Sequence, residues 1–431
     1  MPQDWKGELA KFLRSPVVAA VAVAGGLLRI FWVVYMQRPP HVKLDFSTFY
    51  IGAWAIRNHI NPYQTDLTPY ADNFHLELGP VRRSNYPPTF FLMMEPLSYL
   101  NPWTAYWTWS LLTLALLLAS LYLLLGAKKG MPLPTMLIMM SLGLMFRGIQ
   151  QHFEFMQVQI LLLFLLLLIW RGLASNNNLI AGALLAFAGL LKGYPLFMAL
   201  YLVCTRRWRA LGFTVLALIV GFGLTVAVMG SEAYWFFDTV SAHLSPGQGI
   251  RFTPTIGMAG SLMRFSRHFV PDDSNQALQV ARRIMELIAE VAVLSLTTIA
   301  IVRARTDPRR AEYAFGLCAV AMVLCDPNAW AHYMVFLLIP LCQIAVATQI
   351  GAAPEIAPTL AAIAYVLAEV SYRANFRFVG HFHLQTPSWF AEGMFIATLL
   401  VFAAAYALTT RAAKANHTHL ATAPTGWPRI S

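Results

Sequence analysis

A handful of polar residues stand out in an otherwise apolar chain, because their types can move a proton or hold a phosphate. Asp45, in HVKLDFSTFYIGAWAIRNHINPYQ, opens a stretch of aromatic and small residues (Phe49, Tyr50, Gly52, Ala53, Trp54) that reads as a short helix lying along a membrane surface. An aspartate there serves equally well as a plain helix N-cap or as a general base at the lipid–water boundary. Lys192 and the pair Arg82 and Arg83 are cations suited to a phosphate ester. For the two arginines, snorkelling toward lipid headgroups explains the same placement. Lys192 stands two residues before Tyr194-Pro195, where the helix ladder must break, and a ligand contact is the better explanation for it. In CDPNAWAHYMVFLLIPL, Asp326 and Asn328 can cap the following helix and His332 falls one turn inside it. A histidine at such a depth is more often a satisfied core residue, although it can also orient a hydroxyl or phosphate. Tyr86, Gln157, Gln159 and Tyr333 complete the set as candidate hydrogen-bonding groups.

The elements that must position these residues are membrane helices. Of the 431 residues, 58% are hydrophobic and 12% charged, half the charge load of about 25% usual in soluble domains. Apolar runs are expected to span a bilayer at 16–37, 103–126, 132–147, 157–171, 179–191, 195–205, 210–229, 283–302, 311–325, 331–349, 356–372 and 388–409. The N-terminal MPQDWKGELAKFLR precedes a run too long for a signal-peptide core and lacking a following A-x-A-like site, so it is expected to be a retained signal anchor. The net charge of +11 resides in short clusters at the ends of apolar runs, which fits lipid headgroups and argues against a nucleic-acid partner. Placing the N-terminus inside makes the inner loops short and basic (Lys128 and Lys129, Arg171, Arg206 to Arg209, Arg303 to Arg310, Arg411 and Lys414). Both termini are then cytoplasmic, with residues 410–431 as a tail. Two long outer segments follow, near 38–102 and 230–282, and every polar residue singled out above falls on the outer side. Chain 1–431 is expected to form a single all-α, polytopic membrane domain.

Other possibilities are weaker. The four cysteines lie in or beside apolar runs without metal-binding spacing. His381 and His383 form a pair with no nearby carboxylate, so no metal site is expected. Glu369 and Glu392, inside the last two expected spans, invite a proton-relay reading without a third partner. Walker A, GxGxxG, GxSxG and HExxH patterns do not occur, which excludes the common ATPase, dinucleotide, serine-hydrolase and zincin signatures.

The order of short motifs resembles glycosyltransferase family 87. The Asp45-aromatic segment is followed by Asn61-Pro62-Tyr63, by Tyr86-Pro87-Pro88 with Glu95 to Leu97, and by Gln157. After these come Ala181-Gly182 with Lys192-x-Tyr194-Pro195, an R-R-W-R run, and Asp326 to Tyr333. Departures include Met156 before Gln157, where the family often has Gly, and Asn58-His59-Ile60 before the Asn-Pro-Tyr turn. The resemblance implies a GT-C-type bundle of about 12 transmembrane helices. It also implies transfer of a hexose, expected to be mannose, from a polyprenyl-phosphate donor to a lipid or glycan acceptor at the extracytoplasmic face of the cell membrane. On the same basis Asp45 is expected to be catalytic, with His332 beneath it and Lys192 near the donor phosphate.

Chemistry agrees with that expectation. A polyprenyl phosphate leaves readily once its charge is met, so only the acceptor proton needs a base. One carboxylate suffices for a direct displacement, whereas a retaining glycosidase needs two about 5–5.5 Å apart. A transferase without cofactor or essential metal is therefore expected, with Tyr86, Arg82, Arg83, Gln157, Lys192 and Tyr333 binding substrate. A transporter or flippase for a lipid-linked saccharide would share the cavity and the broken helix. It should also show repeat symmetry and paired mid-membrane charges, which this sequence does not display. A membrane assembly factor is the third reading, and it predicts that Asp45, His332 and Lys192 can each be replaced without loss.

Overall fold

The computed structural model describes residues 15–38, 45–78, 83–126, 131–239, 255–269, 276–382 and 392–411. The apolar runs fold as helices. In chain order these are α1 (Pro16–Met36), α2 (Asp45–Arg57), α3 (Thr68–Asn73), α4 (Pro88–Met94), α5 (Pro102–Leu121), α6 (Leu133–Met145), α7 (Arg147–Phe155), α8 (Gln159–Ala174) and α9 (Asn178–Leu191). After a 3₁₀ turn at Tyr194–Met198 come α10 (Ala199–Cys204), α11 (Trp208–Met229), α12 (Trp235–Thr239), α13 (Met258–Phe269), α14 (Gln276–Ala304) and α15 (Pro308–Cys325). A second 3₁₀ stretch, Ala331–Leu337, runs into α16 (Leu338–Gln349), followed by α17 (Ile356–Phe382) and α18 (Gly393–Arg411). Local chemistry sets several starts. Pro16, Pro102 and Pro308 occupy first-turn positions that need no N–H donor, and Ser15, Asn101 and Asp307 cap the orphan amides behind them.

Among the described residues, six segments are long and apolar enough to cross a bilayer: Pro16–Met36, Pro102–Gly126, Trp208–Asp238, Ala277–Ala304, Ala331–Gln349 and Gly393–Arg411. A seventh arises if α6 and α7, bent by 49° at their junction, count as one broken span. Gln159–Ala174, Asn178–Leu191, Tyr194–Cys204 and Ile356–Ser371 are apolar but shorter, so length and composition do not fix the expected dozen spans. Short helices are tolerable where protein rather than lipid surrounds them. That is the case for α8, whose residues are largely buried, and for α15, buried without a gap from Tyr313 to Leu324. By contrast α1, α11 and α14 turn Val21, Leu28, Ile219, Leu224, Ile288 and Val291 outward, as lipid-facing helices do.

The bundle has two chemically different ends. At one end Arg207 bonds Asn176 at 2.6 Å, Tyr201 reaches Ala311 O at 3.1 Å, and Arg310 donates to the carbonyls of Thr409 and Thr410 at the close of α18. This is the end of the short basic loops. At the other end, exposed Trp32, Tyr35, Tyr99 and Trp103 gather where α1 stops and α5 starts, an aromatic belt typical of a lipid–water boundary. Helix α2 lies at that end and packs on α4, Gly52 meeting the Phe91 ring. The segment before α13 joins it too: Thr255 forms an antiparallel bridge with Trp330, and Ile256 N donates to Ala329 O at 2.6 Å. Arg264 on α13 holds this arrangement, donating to Thr255 O at 2.7 Å and to Glu392 at 2.6 Å.

Helices α9 and α11 cross closely at Gly182, where an added Cβ would lie 2.5 Å from Ala210 O and 2.8 Å from Thr214 N. Gly182→Ala must force the two backbones apart, at a cost of about 1–3 kcal/mol. Gly212, also on α11, provides the control, because a Cβ added there would meet nothing within 4 Å. Thermal unfolding in detergent is expected to show a lowered midpoint for Gly182→Ala and none for Gly212→Ala. Equal midpoints for the two variants would contradict this crossing.

Candidate active site

The site is built where α9 ends. Leu191 closes the helix, Lys192 takes an extended conformation, and the Tyr194–Met198 turn resumes the path behind Pro195. The Lys192 side chain is thereby freed from the helix surface and enters a ring of phenols. Its Nζ lies 5.0 Å from the Tyr86 ring centre, 5.2 Å from that of Tyr333 and 5.8 Å from that of Tyr194. Cation–π contacts of this kind stabilise by ~2 kcal/mol or more when desolvated. Tyr194 and Tyr333 also pack on each other, with ring centres 4.7 Å apart.

From Lys192 a chain of hydrogen bonds leads toward the Asp45 carboxylate. Lys192 Nζ donates to the Tyr86 hydroxyl oxygen at 3.4 Å, and Tyr86 O–H donates to Gln157 Oε1 at 3.2 Å. The Gln157 side chain lies beside the Asp45 carboxylate and favours its ionised form. Each residue is held by its own element. Asp45 is in the first turn of α2 rather than in the capping position before it. Tyr86 is fixed by Tyr63, whose hydroxyl donates to Tyr86 O at 2.9 Å, and by Phe49 at 4.7 Å between ring centres. Gln157 follows Met156, a left-handed residue that ends α7 and whose carbonyl accepts Trp109 Nε1 at 3.2 Å.

Tyr86, Gln157, His332 and Tyr333 form a buried floor, while Asp45, Lys192, Tyr194 and Asp326 are partly exposed at the rim. Burial dominates the Asp45 carboxyl and raises it to about 6, against the opposing pull of Lys192 and the Gln157 hydrogen bond. Asp326 is raised by the same cause, offset by the Asn328 N–H and by Lys192. His332 packs between Trp330 and Phe155, with ring centres 6.5 and 6.3 Å away, and beside Tyr333 at 5.2 Å. Its Nδ1 is buried and makes no hydrogen bond among the described residues.

This architecture can hold an anion at Lys192 while Asp45, whose charge interacts with it, takes a proton. Comparisons with known proteins bear on which reaction that is. The sequence profile of glycosyltransferase family 87 matches residues 85–327, more than half of the chain. The chain belongs to glycosyltransferase family 87. It is similar to two Mycobacterium tuberculosis proteins. A polyprenol-phosphate-mannose-dependent alpha-(1-2)-phosphatidylinositol mannoside mannosyltransferase is 24% identical over 66% of this chain and 71% of the relative. A polyprenol-phosphate-mannose-dependent alpha-(1-2)-phosphatidylinositol pentamannoside mannosyltransferase is 24% identical over 76% of this chain and 72% of the relative. No solved structure matches. The family match takes in Tyr86, Gln157, Lys192 and Asp326, whereas Asp45, His332 and Tyr333 lie outside it and join the site through the fold.

Within this glycosyltransferase the polar residues expected from sequence are only partly united. Asp45, Tyr86, Gln157, Lys192, His332 and Tyr333 converge. Arg83 is exposed and makes no hydrogen bond or ion pair among the described residues, and Arg82 lies outside them. Asp326 does not cap the next helix: its Oδ1 accepts Asn328 N at 2.8 Å, and the capping position is Trp330, which offers no side-chain bond. Sequence reasoning misses Tyr194 and the approach of Asp326 to Lys192, although the Lys-x-Tyr-Pro spacing that breaks the helix is the available signal. Glu369 and Glu392 are ion-pair partners, of Arg29 at 3.7 Å and Arg264 at 2.6 Å, and Glu392 precedes α18 rather than lying within it. The His381 side chain and His383 lie outside the described residues.

Tyr86→Phe removes the hydroxyl joining Lys192 to Gln157 and leaves buried Gln157 Oε1 without that donor. The expected cost is about 1–3 kcal/mol of unfolding free energy, measurable as a lowered thermal midpoint in detergent. An unchanged midpoint would show that the chain of bonds does not contribute.

Proposed function

We propose that this glycosyltransferase moves a mannosyl group from polyprenyl-phosphate mannose to a hydroxyl of a lipid or glycan acceptor, in one displacement at the extracytoplasmic face. The observation that carries the proposal is the chain Lys192–Tyr86–Gln157, which places a cation at one end and brings its other end beside the Asp45 carboxylate. The names of the two relatives supply the donor: both are polyprenol-phosphate-mannose-dependent. Sidedness is supported by the basic loops at the bundle end away from the site, the end that the positive-inside rule assigns to the cytoplasm.

The donor phosphate is placed at Lys192, whose cation meets the charge that grows as the glycosidic bond breaks. The acceptor oxygen attacks the anomeric carbon, and the carbon–oxygen bond to phosphate breaks with its electron pair, releasing polyprenyl phosphate. Asp45 receives the acceptor proton, and the anomeric configuration inverts. A carboxyl raised to about 6 is a better base than an ordinary aspartate and is still largely ionised at neutral pH. His332, on the buried floor beside Tyr333, orients the reacting sugar or hydroxyl.

The test is transfer of radiolabel from polyprenyl-phosphate mannose into a mixed lipid extract by the purified protein in lipid. Asp45→Asn is expected to lower the rate by roughly 10²–10⁴-fold without unfolding the protein. For the wild type, kcat/KM should fall about tenfold per unit below pH 6, because only the ionised carboxylate accepts the proton. It should fall again above about pH 8, where desolvated Lys192 loses the charge that meets the phosphate. Full transfer by Asp45→Asn would remove Asp45 from the chemistry. Passage of lipid-linked sugar across vesicles without transfer would replace the enzyme by a flippase.

A further inference from the structure

The junction of α6 and α7 carries more charge than a buried turn requires. Helix α6 stops at Met145, Phe146 is extended (φ −59°, ψ 136°), and α7 departs at 49°. Such a break frees a carbonyl that lipid cannot satisfy. Gln150 Nε2 donates to Met145 O at 2.8 Å, and Arg29 on α1 adds a second donor at 3.4 Å. Gln150 Oε1 then accepts from Arg29 and, at 3.0 Å, from Arg147. Arg147 also donates to both carboxylate oxygens of Glu154 at 3.1 and 3.0 Å, and Gln151 donates to the same carboxylate. Arg29 faces Glu369 of α17 at 3.7 Å. Arg147, Gln150 and Gln151 are all buried, so this network clamps a nine-residue helix from its first turn almost to its last.

The far end of that helix is the active site. Phe155 faces His332, Met156 makes the left-handed turn, and Gln157 N donates to His152 O at 3.1 Å before its side chain meets Asp45 and Tyr86. Gly148 sets the helix directly on the Ala331–Leu337 turn, an added Cβ there falling 2.7 Å from Val335 N. A rigid rod of about 13 Å therefore joins the charged clamp to the Gln157 side chain, which Tyr86 holds beside the base.

We propose that Arg147 and Glu154, supported by Gln150 and Arg29, are positioning residues for transfer, acting by holding Gln157 against the Asp45 carboxylate. This rests on the reading of Asp45 as the base. Loosening the clamp withdraws Gln157, while Lys192, Tyr86 and Tyr333, the other charged or titratable groups facing Asp45, stay on their own elements. Without the Gln157 amide beside it the ionised carboxylate is less favoured, so the base titrates at higher pH. Donor binding at Lys192 is untouched.

The experiment uses the full-length protein in lipid with polyprenyl-phosphate mannose and the mixed lipid extract. Glu154→Gln is expected to lower kcat about tenfold and leave the donor KM within about twofold. It should also move the acid limb of kcat/KM upward. Gln157→Ala should move the limb by the same amount, and the double variant no further, since the two residues act in series. A fall in kcat with an unmoved limb, or additive shifts, would overturn the proposal by reducing the clamp to general stability. If Glu154→Gln does not fold, Arg147→Gln with Glu154→Gln carries the same test, because it replaces the ion pair with a neutral one. A second readout is independent of activity. Oxidative cross-linking of Asp45→Cys to Gln157→Cys, located by peptide mapping, should form in the otherwise native chain and be lost with Glu154→Gln. Persistence of the cross-link would sink the clamp, whereas absence of any transfer by wild type would sink only the function.

Discussion

A lysine ammonium at the end of a membrane helix is the constraint around which this molecule is arranged. Lys192 stands where α9 stops because Pro195 cannot continue the ladder, so its side chain points into protein rather than along a helix surface. An uncompensated cation at that depth costs several kcal/mol. Four separate segments answer it: α2 with Asp45, the loop before α4 with Tyr86, the turn after Lys192 with Tyr194, and the turn after α15 with Asp326 and Tyr333. None of these is adjacent in sequence to all the others. Their convergence defines one end of the bundle, opposite the short basic loops.

The rest of the fold divides the work of holding that convergence in a bilayer. Helices α8 and α15 are buried nearly all round and provide a protein interior in which short helices and broken backbone can exist. Helices α1, α11 and α14 present apolar side chains outward and shield this interior from lipid. Between them lie the irregular pieces that form the candidate site, and each is pinned by named bonds. Tyr63 fixes Tyr86, Trp109 fixes the Met156 turn, and the Arg264–Glu392 pair fixes the Thr255 bridge to Trp330, two residues from His332.

Much of this is legible in the sequence for one physical reason. Polar groups within apolar runs are costly, so Asp45, Gln157, Lys192 and His332 declare themselves by their surroundings. The apolar runs likewise mark most of the helices to within a few residues, although α14 begins at Gln276 and α17 runs to Phe382, both well beyond the expected runs. What stays hidden depends on geometry that spacing does not carry. Helix α7 lies between two expected spans; RGIQQHFEF is amphipathic, but nine residues give too short a pattern to separate from a loop. Arg147 and Glu154 are seven residues apart and meet only because both face one side of that helix. Arg264 and Glu392 are 128 residues apart and share no local pattern. Arg83 stands out in sequence for its charge alone, and an exposed arginine needs no partner to be satisfied.

The most direct measurement is an experimental structure of the protein in lipid with a polyprenyl phosphonate analogue of the mannosyl donor that cannot be cleaved. The phosphonate is expected within hydrogen-bonding distance of Lys192 Nζ, with the anomeric carbon between it and the Asp45 carboxylate and the sugar resting on the His332–Tyr333 floor. A phosphonate bound at the basic end of the bundle, or at the outer end with its anomeric carbon turned away from Asp45, would contradict a single displacement in this chamber.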